Sequence, residues 1–344
     1  MGERTKKKVE LPLCEALCST YNFLGYDTSV LHSNPSVRNW YMNEIFILRC
    51  TTKFLKGEYS SPQIHLLGST HYANPYLEKI VYPMKYAKGY INSIIKELLN
   101  DGYYVCFLDI DDYYLEGKSW YKQRHVPHDG MIFGYDNERK IYNILSYDEN
   151  WLFRSFEVSQ RSFEKGRKSM FERGRYGKII GLKPKNETVA FDAQKVVEKL
   201  SEYLTVSTAV SSQTGVEMTV GIAVHDVIAK YIEMHIDGSI PYEKLDRRVF
   251  RLIWEHKQMM LERLKMTENA LGLDSSVSEA YSALVADADR MRMLYALHHA
   301  KRRDSVLPTI RNILIKLRNT EEKLLFEFIE KAKGEKKNEA VELH

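Results

Sequence analysis

The chain has 344 residues and a formal net charge of +4, and 44% of its residues are hydrophobic. This length predicts two domains with separate cores, and the composition excludes a fibrous or wholly disordered protein. No apolar run reaches the length of about 18 residues that a membrane span needs, and the N-terminus lacks the apolar segment of a secretory signal. Four cysteines are too few for a disulfide scaffold. We therefore expect a reduced, cytoplasmic protein with no membrane partner.

The uneven distribution of two residue types predicts two unlike halves. All four cysteines precede residue 107, and 17 of the 23 tyrosines precede residue 150. We therefore expect a mixed α and β domain over residues 7–165 and a helical bundle over 188–335. Between them, residues 166–187 are glycine-rich and strongly basic, which is typical of a linker or an exposed loop.

Apolar spacing predicts mixed α and β structure in the first half and helices alone in the second. The expected first-half elements are a helix over Cys14–Leu24 ended by Gly25, a helix ending at Leu99, a strand over Tyr103–Ile110, and an antiparallel hairpin of Gly130–Tyr135 and Ile141–Tyr147. The expected second-half helices are Asp192–Ala209, Glu217–His235, Tyr242–Leu271, Ser275–Arg303 and Ser305–Lys333.

Cys14 is the first candidate for chemistry, because a helix start favours the thiolate over the thiol. Cys18 lies one turn further on the same predicted face. This four-residue spacing suits a metal, but no second Cys or His pair accompanies it, so we expect no metal site. Taken alone, either cysteine is typical of a small buried residue.

His128 supplies a partner for a cysteine nucleophile. If the hairpin turn is centred near Glu138, His128 faces Asp148 on the neighbouring strand. A carboxylate that orients an imidazole, which in turn keeps a sulfur ionised, is the arrangement of a cysteine enzyme. Asn143 is the reserve for the orienting position, since an amide can also hold the ring. We expect His125 to line the approach to the site.

Two stretches resemble known cysteine enzymes. The CEALC pattern at Cys14 resembles the active-site helix of papain-like peptidases that process bacteriocins. The succession over residues 103–148, from YYVCFLDI through DDYYL, His125 and His128 to GYD and Asp148, resembles the butirosin biosynthesis protein H-like family of papain-fold acyltransferases. The resemblance covers roughly the first 165 residues.

The resemblance implies an α+β, papain-like N-terminal domain that precedes a C-terminal all-helical domain. It implies Cys14 as nucleophile, His128 as base and Asp148 as the orienting residue. The family takes acyl groups from thioesters on a carrier protein with a phosphopantetheine arm, and joins them to an amine in natural-product biosynthesis. A thioester is already activated, and no nucleotide-binding motif occurs, so we expect no cofactor.

The chain departs from the related patterns at two positions. No glutamine precedes Cys14, so the oxyanion donors would be the Cys14 amide and a group such as Asn22. In the acyltransferases the acid often falls about where Ser146 stands.

The remaining candidate residues would bind the substrates. Tyrosines beside the site would line a pocket for an acyl chain, although tyrosines commonly pack with only the hydroxyl exposed. Basic residues of the 166–187 segment would dock the acidic carrier protein, and they lack the aromatic interleaving of a nucleic-acid site. The expected pocket residues are Tyr113, Tyr114, Tyr121 and His125, and the expected docking residues are Arg167, Lys168, Arg173 and Arg175.

Two other functions fit the same residues. A cysteine peptidase or amidase shares the acyl-enzyme and differs only in its acceptor. A catalytically inactive papain-fold binding protein is favoured by the missing glutamine. The helical domain would cover the cleft or mediate self-association into a homo-oligomer.

Overall fold

The computed structural model describes residues 6–33, 35–68, 74–87, 89–210 and 215–342. The chain is mixed α and β, with antiparallel sheets and a helical C-terminal region. It divides into two compact units, of which unit 1 comprises residues 1–38 and 70–189 and unit 2 comprises residues 39–69 and 190–344.

The strands are β1 (Lys8–Glu10), β2 (Leu48–Cys50), β3 (His65–Leu66), β4 (Leu77–Pro83), β5 (Tyr104–Asp111), β6 (Pro127–Asp136), β7 (Ile141–Tyr147), β8 (Phe153–Ser159), β9 (Lys178–Pro184), β10 (Thr208–Val210) and β11 (Glu217–Val220). The helices are α1 (Asn22–Ser29), α2 (Pro35–Glu44), α3 (Ile91–Asn100), α4 (Gln160–Glu172), α5 (Ala193–Thr205), α6 (Val224–Ile236), α7 (Arg248–Leu271), α8 (Ser276–Lys301) and α9 (Leu307–Glu342). Short 3₁₀ turns join several of them.

Unit 1 is built on one antiparallel sheet. Its strand order is β4-β9-β5-β6-β7-β8, and β1 pairs with the far end of β6. Successive side chains alternate between the faces, so Val105 and Phe107 point to the core that α3 and α4 cover. Helix α1 packs against β6 and β7 on the opposite face, where Tyr26 lies beside Cys106.

The hairpin is the best-predicted part of unit 1. Strand β7 has the predicted bounds, and Met131 pairs with Leu145 in the register that the turn position implies. Nearer the turn a bulge shifts the register by one residue, so that Gly134 faces Asn143. A Cβ on Gly134 would lie 2.6 Å from the Val9 carbonyl of β1, which explains the glycine at this close approach.

The first predicted helix is wrong in its bounds. Residues 11–21 are irregular, and α1 begins at Asn22. Backbone hydrogen bonds to distant partners take the place of helical ones, because Leu11 donates to Phe133 and Cys14 donates to Ser29. Gly25 does not end the helix but lies within it, where its missing Cβ admits the ring of Phe153.

The basic segment 166–187 is neither a linker nor a loop. Its first part completes α4, and its second part is β9, which lies in the sheet between β4 and β5. The apolar side chains of Ile179, Ile180 and Leu182 are buried there. The dense basic residues obscured this short apolar strand in the sequence.

Unit 2 is helical, as expected, but it is not all-helical. It contains an antiparallel sheet of order β10-β11-β2-β3, and β11 occupies the start of the segment predicted as one helix over Glu217–His235. Residues 39–69 join this unit rather than the first one. The fully buried Arg263 of α7 donates to the carbonyls of Tyr41, Met42 and Ile45 at 2.8–2.9 Å and thereby holds the end of α2. Among the described residues, none of the helices combines the length and apolar character needed to cross a bilayer.

Candidate active site

His128 is held by a buried carboxylate at the end of two paired strands. It pairs with Ile110 across β5 and β6, and its Nδ1 is hydrogen-bonded to Oδ2 of Asp112, which follows β5 directly. The His128 side chain is 36% exposed, whereas that of Asp112 is fully buried. With Nδ1–H donating to the carboxylate, Nε2 is the atom available for proton transfer.

A β-bulge orients the side chains of the consecutive residues Asp111 and Asp112. The β5–β6 register shifts between Phe107 and Ile110, and Asp109 within this bulge has a positive φ of 61°. A bulge inserts one residue and turns the side chains that follow it. Asp111 and Asp112 consequently both have buried side chains that each contact one histidine.

Lys118 links Asp112 to the neighbouring strand. Its buried Nζ donates to Ser146 Oγ at 2.9 Å and to the Tyr147 carbonyl at 3.2 Å, and lies 3.8 Å from Asp112 Oδ1. Burial lowers the pKa of Lys118, although Asp112 opposes that shift. Ser146 Oγ donates to the Asp129 carbonyl and accepts from the Tyr26 hydroxyl. We call Tyr26, Asp112, Lys118, His128 and Ser146 the open cluster.

A second histidine–aspartate pair lies beside the first. His125 Nδ1 is 2.7 Å from Oδ2 of Asp111. Asp111 also accepts from Ser169 Oγ at 2.5 Å and from the Tyr113 amide at 3.2 Å. The His125 ring stacks on Tyr113 with centroids 4.3 Å apart. Two imidazoles three residues apart are thus each fixed by one of two adjacent carboxylates.

Asp148 does not orient His128. Its Oδ1 accepts from the Asn150 and Leu152 amides at 2.8 and 2.9 Å, and Arg154 forms an ion pair with it. Burial acts to raise the pKa of Asp148, but these hydrogen bonds and Arg154 outweigh it and hold the pKa below the usual value. The residue therefore shapes the β7–β8 turn. The prediction failed because strand register fixes which residues face each other but not where a side chain turns.

Asn143 is also remote from His128. It faces Gly134 and Glu157 in the sheet and lines a cavity of about 250 Å³ together with Lys8 and Arg139. Gly134 lies six residues from His128 along β6, which corresponds to about 20 Å. The reserve assignment is therefore wrong as well.

Cys14 lies at the other end of the sheet. Its amide donates to the Ser29 carbonyl at 3.0 Å, its Sγ lies 3.1 Å from the Thr28 carbonyl, and the preceding Pro12 carbonyl accepts from Tyr104. Cys14 also helps to raise the pKa of Tyr104, after burial. Along paired strands, Tyr104 and His128 are about 17 Å apart. The predicted Cys14–His128 pair is thus not brought together, and the Cys14 amide is not available as an oxyanion donor.

The segment that contains Cys18 is connected to the open cluster by hydrogen bonds. The carbonyl of the next residue, Ser19, accepts from the Tyr147 hydroxyl at 2.6 Å. The Tyr147 carbonyl in turn accepts from Lys118. The Cys18 side chain is buried. The segment before α1 therefore reaches the end of β7 beside the cluster.

The two remaining cysteines are core residues. Cys106 is fully buried in the middle of β5, between Met131 and Ile180. Cys50 lies in unit 2, and burial raises its pKa to about 12. A thiol with so high a pKa is a poor nucleophile.

The predicted pocket tyrosines are partly brought together. Tyr113 and Tyr114 contact each other at 5.1 Å between centroids, and both rings contact His125. Tyr121 is half-buried in the following turn, which the Lys122 amide ties back to the Tyr113 carbonyl.

The predicted docking residues fall into two groups. Arg167 is buried, forms an ion pair with Glu164 and lies over the Phe171 ring, so its assignment to a docking surface is wrong. The other three are exposed: Lys168, Arg173 and Arg175. In the described part of the chain, no group of three or more His, Cys, Asp or Glu side chains is arranged to hold a metal ion.

Sequence reasoning missed the residues that hold the two histidines. Asp111 holds His125 and Asp112 holds His128, while Lys118 lies beside Asp112. One signal was present in the sequence, since two consecutive acids directly follow a buried strand and two histidines follow them closely. No protein-family model matches this sequence, and a search of curated proteins gives no significant match.

Proposed function

We propose that the chain is a cysteine-dependent acyltransferase of papain-like architecture, which joins a carrier-bound acyl thioester to an amine. The observation that carries the proposal is the half-exposed His128, fixed at Nδ1 by the buried Asp112. This is the arrangement of a general base. The antiparallel sheet with α1 across one face agrees with that architecture.

Cys18 supplies the nucleophilic sulfur in this proposal. The contact between Ser19 and Tyr147 brings its segment to the cluster, whereas the contacts of Cys14 lead to Tyr104.

The first half-reaction transfers the acyl group to the enzyme. His128 Nε2 takes the proton of the Cys18 thiol, and the sulfur attacks the thioester carbonyl carbon. A new carbon–sulfur bond forms, the bond to the pantetheine sulfur breaks, and the departing thiolate takes the proton from His128. His128 is then neutral again, and Asp112 keeps its ring in place throughout.

The second half-reaction forms the amide. The amine nitrogen attacks the acyl carbon, the bond to Cys18 breaks, and His128 takes a proton from the attacking nitrogen. A carrier protein is acidic, so the exposed Lys168, Arg173 and Arg175 are the residues that would receive it. No nucleotide is needed, because the thioester is already activated.

An acyl-thioester and a diamine test the proposal. The full chain is incubated with an N-acyl cysteamine thioester and putrescine, and intact-mass spectrometry follows both enzyme and product. We expect an acyl adduct that disappears in Cys18→Ser, persists in Cys14→Ser, and yields the amide. The two serine variants are matched controls, because they lie four residues apart and make the same chemical change.

The other outcomes separate the alternative functions. An adduct released only as free acid would indicate a peptidase or amidase. Absence of any adduct on the wild-type chain would contradict catalysis and favour a binding protein. An adduct that requires Cys14 but not Cys18 would reject the nucleophile proposed here.

A further inference from the structure

The hydrogen-bonded pair of His125 and Asp111 takes no part in the two half-reactions described above. Its carboxylate is fully buried and its imidazole is 36% exposed, the same values as for Asp112 and His128. Asp111 is held by three donors, which fixes the ring as firmly as a catalytic one. A histidine that merely lined a pocket would not need a buried carboxylate behind it.

The two pairs differ in the charges around the carboxylate. Asp112 has the Lys118 ammonium at 3.8 Å in addition to its histidine. Among the described residues, the other partners of Asp111 are the hydroxyl of Ser169 and the amide of Tyr113, both of which are neutral. Asp111 can therefore compensate a positive charge that arrives on His125 without competition from a second cation at that carboxylate.

Amide formation from an alkylammonium ion releases two protons, whereas the half-reactions above assign a base to only one of them. An alkyl amine has a pKa near that of lysine, about 10.4, so at pH 7 it arrives as an ammonium ion. It must lose one proton before it can attack and a second one when the amide forms. His128 accepts only one of these two protons.

On the basis of the proposed function, we propose that His125 is a second catalytic base, which takes the first proton from the acceptor ammonium. The proton moves from the ammonium nitrogen to His125 Nε2, and the freed lone pair attacks the acyl carbon on Cys18. His128 accepts the second proton as the carbon–sulfur bond breaks, and His125 later releases its proton to solvent. The sum is thioester plus ammonium to amide, thiol and one proton.

The aromatic rings beside His125 suit the same substrate. Tyr113 stacks on the imidazole at 4.3 Å, and Tyr114 lies 6.1 Å from it. Tyrosine faces attract ammonium groups within about 6 Å. The acceptor would thus be bound as a cation next to the group that deprotonates it.

The test separates acylation from transfer in His125→Gln. The acyl-enzyme is first formed with the N-acyl cysteamine thioester, and its decay is then followed with either putrescine or hydroxylamine, which is uncharged at pH 7. His299→Gln in α8 of unit 2 is the control substitution.

Measured relative to the acylation rate of the same variant, transfer to putrescine by His125→Gln should be about 100-fold slower than in wild type, within the usual range for general-base catalysis. Transfer to hydroxylamine, on the same scale, should stay within twofold of wild type, because that acceptor needs no prior deprotonation. Equal losses with both acceptors, or an unchanged relative rate with putrescine, would each overturn the role of His125. If the wild-type chain forms no acyl-enzyme, both this role and the proposed function fail.

Discussion

The two units each contain a buried ion pair in a polar cluster, and the two clusters differ in their access to solvent. In unit 1, the His128 side chain of the open cluster is 36% exposed. In unit 2, Glu321 forms an ion pair with Lys257 at 2.6 Å, accepts from the hydroxyls of Tyr203 and Tyr281, and lies 3.7 Å from His225. All five of these side chains are almost completely buried, and we call them the closed cluster.

The comparison shows why a buried charge alone does not indicate a catalytic site. The closed cluster joins five helices, since its members come from α5, α6, α7, α8 and α9. Because its side chains are almost completely buried, we infer that it specifies helix packing. The open cluster has the same kinds of groups, but its His128 side chain is 36% exposed.

The largest expected effect concerns the residue that orients His128. In Asp112→Asn the side-chain amide can donate to Nδ1, which moves the ring proton to Nε2 and removes the base. We expect acylation to slow about 10³-fold, equivalent to about 4 kcal/mol of barrier. Single-turnover acylation, followed by intact mass, measures this rate.

Asp148→Asn is the matched control for that substitution. It weakens the turn after β7, where Asp148 accepts two amides, but leaves His128 and Asp112 intact. Acylation should remain within about threefold of wild type. Loss of acylation in Asp148→Asn with retention in Asp112→Asn would restore the assignment made from the sequence.

A similar free energy is expected for stability in the closed cluster. Lys257→Met leaves Glu321 buried without its cation, and removal of one partner of such a pair costs about 4 kcal/mol. Equilibrium urea unfolding measures the loss. Lys316→Met is the control, because Lys316 pairs with Asp287 at an exposed position. Equal losses in the two variants would show that burial does not distinguish these pairs.

Arg263→Met should lower the free energy of unfolding by about 3 kcal/mol, since three carbonyls at the end of α2 lose the hydrogen bonds that the guanidinium donates. Urea unfolding should show this loss, and protease cleavage within residues 39–69 should accelerate. A stability within about 0.5 kcal/mol of wild type would contradict the role of Arg263 in holding the end of α2.

Acid should lower the free energy of unfolding through His225 of the closed cluster. Burial, and next the charge of Lys257, lower the pKa of His225 to about 3 from an ordinary 6.5. The unfolded chain therefore binds a proton that the folded chain rejects, so stability falls as the pH drops from 6.5 towards 3. Between pH 7.5 and 5 the His225 contribution is a loss of about 2 kcal/mol. His225→Gln should show a correspondingly smaller difference between these two pH values in urea unfolding, and an unchanged difference would contradict this account.

The sequence predicted the elements that depend on local pattern. Strand β7, its register with β6 and helix α3 follow from alternation, turn residues and helical spacing. His128 was identified because it begins this hairpin. Asp112 was not identified, because its contact with His128 depends on a bulge in β5 that the sequence pattern does not predict.

Long-range hydrogen bonds account for the other differences. The segment around Cys14 has a helical pattern, but its backbone bonds to Phe133 and Ser29 instead. Residues 39–69 join unit 2 partly through Arg263, more than 200 positions away along the chain. Such contacts are absent from any short window of sequence.

One crossed measurement tests the central claim that the open cluster performs chemistry and the closed cluster supports the fold. Acylation rate and free energy of unfolding are determined for both His128→Gln and Lys257→Met. We predict that His128→Gln loses acylation while its stability stays within about 1 kcal/mol of wild type, and that Lys257→Met loses stability while its folded fraction acylates normally. Wild-type acylation in His128→Gln would contradict the account.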